Sequence, residues 1–186
     1  IDGTGNELAN TITGNTGNNT LDGGLGIDKL ARGLGNDTYF VDLIQTGATA
    51  AAFRVALQDT ITEAANAGDD TVKLRGNFNH TNATTLTLGV NLENLDASAT
   101  GTTKLNLTGN ALANTLTGND ADNILDGGVG VDTLIGGDGN DTYILDLKVT
   151  AGTIAIDDTI VETNGIGNGI DTIKLRGTAT LATPTT

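Results

Sequence analysis

One large apolar residue recurs every nine positions along two stretches of this chain. It falls at Ile12, Leu21, Leu30 and Tyr39, and again at Leu116, Leu125, Leu134 and Tyr143. Three are bracketed by polar residues, in Thr11-Ile12-Thr13, Thr20-Leu21-Asp22 and Thr115-Leu116-Thr117, and each of the others has a polar residue on one side. Side chains alternate between the two faces of a strand, so one inward residue in three predicts very short β-strands. The rest of each nine is dense in Gly, Asn and Asp, the residues of tight turns. No 3.6-residue stripe runs through these segments, and their glycine content opposes helix. Thr84 to Asp96 and Leu105 to Thr108 alternate apolar with polar residues and read as further strands. Ala48 to Leu57 is the one stretch that suits either a short helix or a hairpin strand.

The nonapeptides run without gaps from Gly5 to Phe40 and from Gly109 to Ile144, and they sit inside a longer repeat. Gly5 to Gly24 matches Gly109 to Gly128 at an offset of 104 residues. The correspondence resumes where Asp59-Thr60-Ile61 answers Asp158-Thr159-Ile160, and where Val72 to Gly76 answers Ile173 to Gly177, at a shorter offset. The expected organisation is therefore two tandem units, 1–104 and 105–186. The second stops before any counterpart of Asn91 to Leu95, as in an excerpt from a longer array.

Composition narrows the chemistry. Asp and Glu number 23 against 9 Lys and Arg, a net charge of −14. Self-repulsion on that scale opposes a compact state, so cations are expected to belong to the fold. Nucleic acid is not an expected partner, since the chain lacks the basic patch a phosphate backbone requires. There is no cysteine, hence no disulfide or thiolate metal site. Tryptophan and methionine are also absent, so Leu, Ile and Val must build a thin core. No apolar run approaches the roughly 20 residues that a membrane-crossing helix needs. Catalysis has little to draw on: Ser98 is the only serine and His80 the only histidine, the latter read as a solvated loop residue. Tyr39 and Tyr143 read as caps on the core.

Three segments carry the phrase Gly-Gly-x-Gly-x-Asp-x-apolar-x: Gly23 to Ala31, Gly127 to Ile135 and Gly136 to Ile144. This phrase resembles the hemolysin-type calcium-binding, or RTX, repeat, and more narrowly the repeat arrays of large secreted adhesins and surface proteins. Gly33 to Asp42, Asp59 to Val72 and Asn91 to Leu95 resemble the segments that link such blocks. The resemblance implies an all-β fold, a right-handed parallel β-roll or β-solenoid with two nonapeptides per coil. It also implies Ca2+, several ions, held between turns stacked on one edge by sixth-position side chains and turn carbonyls. A hard cation seeking six to eight oxygens suits that arrangement.

Carried onto this sequence, the resemblance makes metal ligands of Gly23, Gly24, Gly26, Asp28, Gly33, Gly35 and Asp37 in the first block. In the second it selects Gly127, Gly128, Gly130, Asp132, Gly137, Gly139 and Asp141. The earlier sixth positions are Asn10 and Asn19, with Asn114 and Asn123 as counterparts. If a turn shares its ion with the second turn after it, Asn10 pairs with Asp28 and Asn19 with Asp37. Such sites hold one carboxylate each and are expected to be weak, or to lean on Asp120 and Asp122; Asn ladders without metal are the alternative. Stronger sites are expected where Asp28 and Asp37 meet Asp42, Asp59 or Asp70, and where Asp132 and Asp141 meet Asp146, Asp158 or Asp171. Arg32 stands where Gly136 stands in the second block and marks the weakest turn.

Two readings of function follow. One is an extracellular, calcium-rigidified structural or adhesive spacer of a surface protein, filament or surface layer, able to self-associate into fibres or layers. The other is a folding and export appendage of a secreted enzyme or toxin. In both, the chain folds on meeting calcium outside the cell.

Overall fold

The structure, a computed structural model, describes residues 2–31, 33–49, 52–150, 153–162 and 169–177. The first block contributes β1 (Gly3–Thr4), β2 (Thr11–Thr13), β3 (Thr20–Asp22), β4 (Lys29–Ala31) and β5 (Thr38–Thr46). The link contributes β6 (Arg54–Leu57), β7 (Thr60–Thr62), β8 (Thr71–Arg75), β9 (Thr84–Thr87) and β10 (Asn94–Asp96). Then come β11 (Leu105–Thr108), β12 (Thr115–Thr117), β13 (Ile124–Asp126), β14 (Thr133–Ile135) and β15 (Thr142–Thr150). The described chain closes with β16 (Thr153–Ile156), β17 (Thr159–Val161) and β18 (Thr172–Arg176).

Successive strands alternate between two faces of a parallel β-roll, two strands to the coil. One face is a single sheet through the whole described length, in the order β1-β3-β5-β8-β10-β12-β14-β17. The opposite face comprises β2-β4-β7 followed by a second sheet in which β9, β11, β13, β15 and β18 pair in turn. Among the described residues only β6 and β16 leave the coil, each pairing antiparallel with the long strand before it. Arg54 to Leu57 is thus a hairpin strand. The antiparallel return is possible because β5 and β15 run nine residues, far past their neighbours in the coil.

Register stacks like on like. Leu21 pairs with Tyr39, Tyr39 with Val72, Val72 with Leu95, Leu95 with Leu116 and Leu116 with Leu134. On the other face Leu86 pairs with Leu107, Leu107 with Leu125 and Leu125 with Tyr143. These stacked side chains form the core. Each buried leucine contributes on the order of 1.5–3 kcal/mol, but the interior is only two side chains deep. His80 departs from its expected exposure: it is buried, and neither ring nitrogen has a hydrogen-bond partner. The cause lies two residues earlier, where Phe78 packs on the core and its N–H donates to Thr103 Oγ1, drawing the loop inward.

The two blocks do not occupy equivalent faces. By sequence β1, β3, β5 and β8 correspond to β11, β13, β15 and β18. The first set lies in the continuous sheet and the second in the sheet opposite. Eight coil strands, an even number, lie between β1 and β11, so alternation puts β11 on the opposite face and the second block enters half a coil out of phase. Matching turns therefore lie on opposite edges of the roll.

Candidate metal centre

Each sixth-position residue is the last of a turn and delivers the chain to the next strand, which puts these side chains in a column along each edge. On one edge the N–H of Asn19 donates to Asp37 Oδ1 at 2.7 Å, that of Asp37 to Asp70 Oδ1 at 2.7 Å, and that of Asp70 to Glu93 Oε2 at 2.8 Å. The column resumes as the N–H of Asn114 donates to Asp132 Oδ1 and that of Asp132 to Asp158 Oδ1. The other edge carries Asn10, Asp28 and Asp59, then Asn123, Asp141 and Asp171, joined in the same way.

This bonding uses one oxygen of each carboxylate. Oδ2 of Asp28, Asp37, Asp59, Asp70, Asp132 and Asp141 is buried and accepts no hydrogen bond. An unpartnered buried carboxylate oxygen is costly unless a cation completes it. First-position glycines leave room in front of these atoms: a Cβ on Gly23, Gly127 or Gly136 would overlap Oδ2 of Asp28, Asp132 or Asp141 respectively. Gly26 turns at φ 121° and brings the chain against the Leu8 carbonyl of the turn stacked on it, so backbone oxygens also converge. Buried carboxylate oxygens, glycine-lined space and stacked carbonyls make a donor set that fits a hard divalent cation. Burial pushes Asp70 and Asp141 up to about 6, against the opposing effect of the N–H each accepts. It raises Asp59 and Asp132 as well.

The asparagine turns differ. Oδ1 of Asn10, Asn19, Asn114 and Asn123 accepts the N–H four residues earlier in the same turn. The amide nitrogen of Asn123 donates to the Leu105 carbonyl at 2.8 Å and to Asn119 Oδ1 at 3.1 Å. That of Asn114 reaches the Leu92 and Glu93 carbonyls. At Asn114 and Asn123 the carboxamide thus supplies both acceptor and donors, its NH2 group facing carbonyls that a cation would otherwise neutralise, while the Asn19 NH2 donates to Asn15 Oδ1 at 3.2 Å.

Of the other predicted ligands, Asp42 and Asp146 meet the columns only through backbone, the Asp146 N–H donating to Asp158 Oδ2 at 3.4 Å, while their carboxylates pair with arginine. Arg75 bridges Asp42 and Asp22, its Nε 3.0 Å from Asp42 and its Nη2 2.7 Å from Asp22, while stacking over Phe40. The guanidinium holds Asp22 below its ordinary range. Arg176 bridges Asp126 and Asp146 in the same manner. These clamps join three successive coils on the outer face. Asp122 faces outward and accepts from Asn140, and the Asp120 N–H donates to the Gly101 carbonyl. Gly33, Gly35, Gly137 and Gly139 lie in the turns ending at Asp37 and Asp141. Arg32 lies outside the described residues.

Sequence reasoning missed three carboxylates. One oxygen each of Asp37, Glu63 and Asp70 lie within 4.8 Å of one another, as do those of Asp141, Glu162 and Asp171. Glu93 caps the Asp70 N–H. The available signal was the recurrence of Glu four residues after Asp59 and again after Asp158. The tyrosines are core residues with a polar end: the Tyr39 hydroxyl donates to Glu63 at 2.5 Å, and that of Tyr143 to Glu162.

A family model for the RTX calcium-binding nonapeptide repeat matches residues 4–39 and 108–143, in four copies. No curated protein and no solved structure matches the chain.

Proposed function

Since the chain belongs to the RTX calcium-binding repeat family through residues 4–39 and 108–143, we propose that it is a calcium-rigidified structural module. It acts as a spacer or adhesive segment of a larger extracellular surface protein, filament or surface layer. The observation that carries this reading is the set of buried, unpartnered Oδ2 atoms in front of glycine turns. In it, Asp28 with Asp59, Asp37 with Asp70, Asp132 with Asp158 and Asp141 with Asp171 hold calcium, together with turn carbonyls. The ion supplies the positive charge that lets these carboxylates stay ionised while buried. The asparagine turns at Asn10, Asn19, Asn114 and Asn123 close themselves and carry no ion of their own.

Repetition supports a structural role. Units 1–104 and 105–186 act as tandem segments of one rod, because the continuous sheet crosses the boundary between β10 and β11 without interruption. Stacked coils of this kind are stabilised by nearest-neighbour contacts, and ions between coils add to those contacts. Extracellular calcium fills the sites after export, and exposed coil ends offer a route to end-to-end association. No catalytic role enters this reading. Ser98 Oγ donates to Asp96 and the His80 ring nitrogens bond to nothing, so the single serine and histidine form no pair. No helix among the described residues is long and apolar enough to cross a membrane.

Calorimetric calcium titration of chelator-treated protein tests the assignment. Asp37→Ala is expected to lower the number of ions bound by one, while Asn10→Ala leaves the count unchanged. Equal losses from both substitutions would refute it.

A further inference from the structure

We propose that Glu63 and Glu162, which lie outside the nonapeptides, are direct cation ligands, making the Asp37–Asp70 and Asp141–Asp171 sites three-carboxylate calcium sites, Asp37–Glu63–Asp70 and Asp141–Glu162–Asp171. The proposal rests on the calcium-binding reading above and adds a third carboxylate to two of its four sites.

Two observations point here independently. The first is geometric. Ligand oxygens at 2.3–2.6 Å from one calcium ion lie at most about 5 Å apart. The 4.8 Å limit within each trio meets that condition, and Oδ2 of Asp37 and Asp70, on residues at most 1% exposed, has no partner. The second is the duplication. Glu63 follows Asp37 by 26 residues, whereas Glu162 follows Asp141 by only 21. The hairpin excursions between them differ in length, yet both glutamates arrive at the same place beside a buried tyrosine hydroxyl. That hydroxyl donates to the glutamate and orients it, as outer-shell donors do for metal ligands. The Ala64 N–H holds the other Glu63 oxygen at 2.8 Å.

The consequence is mechanical. The chain leaves the coil at the end of β5 and returns at β7, and Glu63 lies directly after that return. An ion shared by Asp37, Glu63 and Asp70 ties the last nonapeptide turn, the returning strand and the following turn together. The Asp28–Asp59 and Asp132–Asp158 sites stack coils; these two sites also lock the hairpin excursion into the stack.

The chain has two tyrosines and no tryptophan, so terbium, used as the probe in place of calcium, is sensitised only near Tyr39 and Tyr143. In the full chain, Tyr143→Phe leaves emission reporting on the Glu63 site alone, and Tyr39→Phe leaves emission reporting on the Glu162 site. Adding Glu63→Gln to the first background and Glu162→Gln to the second is expected to weaken the tyrosine-excited terbium titration by at least about tenfold. Glu63→Asp, which keeps the charge, is expected to fall between. Unaltered titrations in either glutamine variant would overturn the proposal, as would absence of sensitised emission in a wild-type chain that binds calcium by calorimetry. A wild-type chain that binds neither ion would overturn the calcium-binding reading itself.

Discussion

Chelation of calcium is expected to unfold this chain, with loss of its β-sheet circular dichroism. Three features combine to produce so large an effect. The net charge is −14, and much of the negative charge is stacked in columns along the two edges. The core is a double file of single side chains with few aromatics to enlarge it. Buried carboxylates such as Asp70 and Asp141 are pushed up to about 6, which reports how poorly the folded state tolerates their charge without a cation. At a hundredfold excess over its dissociation constant, each bound ion contributes about 2.7 kcal/mol. Several such contributions are comparable with the whole stability of a typical domain, about 5–15 kcal/mol. Magnesium at equal concentration is expected not to restore the fold, because it demands a smaller octahedral shell and gives up its waters reluctantly.

The second large effect is steric. Gly118→Ala is expected to cost about 3 kcal/mol and to lower the melting midpoint by roughly 6–12 °C, even at saturating calcium. Gly118 opens the turn that ends at Asn123, and a Cβ there would overlap both Asn123 Oδ1 and the Gly136 carbonyl oxygen of the next coil. The neighbouring coils cannot part without breaking the hydrogen bond from the Gly118 N–H to the Ile135 carbonyl, 2.8 Å long. Gly17→Ala serves as the control. Its nearest neighbour would be 3.5 Å from the new methyl, so a change within about 0.5 kcal/mol is expected. Thermal melts of the two variants beside wild type measure the difference.

Local spacing carried the strands, because one inward residue per nonapeptide leaves a three-residue strand few alternatives. The eighth-position residues from Leu21 onward are buried core, and Ile12 packs against them at the rim. The pairing of Asp28 with Asp59 and of Asp37 with Asp70 was among the open alternatives, since the repeat spacing fixes which turns stack. What spacing could not separate was Asp42 from Asp59 and Asp70. That choice depends on Arg75, which lies one coil from Asp42 and two from Asp22 and claims both together. Glu63 was hidden for a related reason. Its place beside Asp37 is set by where a hairpin of variable length rejoins the coil, and the recurrence of Glu four residues after Asp59 and Asp158 marks the position without showing which turn it meets. The half-coil offset between blocks was equally invisible, because it depends on whether the number of strands in the link is odd or even. His80 read as a polar loop residue, and only the anchoring of Phe78 on the core reveals its burial.

Metal bridges one coil to the next, and locating the ions tests that most directly. Crystals of the full chain grown with calcium should give anomalous difference peaks about 2.3–2.6 Å from Oδ2 of Asp28, Asp37, Asp132 and Asp141. The asparagine turns at Asn19 and Asn123 should show none of their own. An ordered roll with no peak at any of those four aspartates would contradict the account.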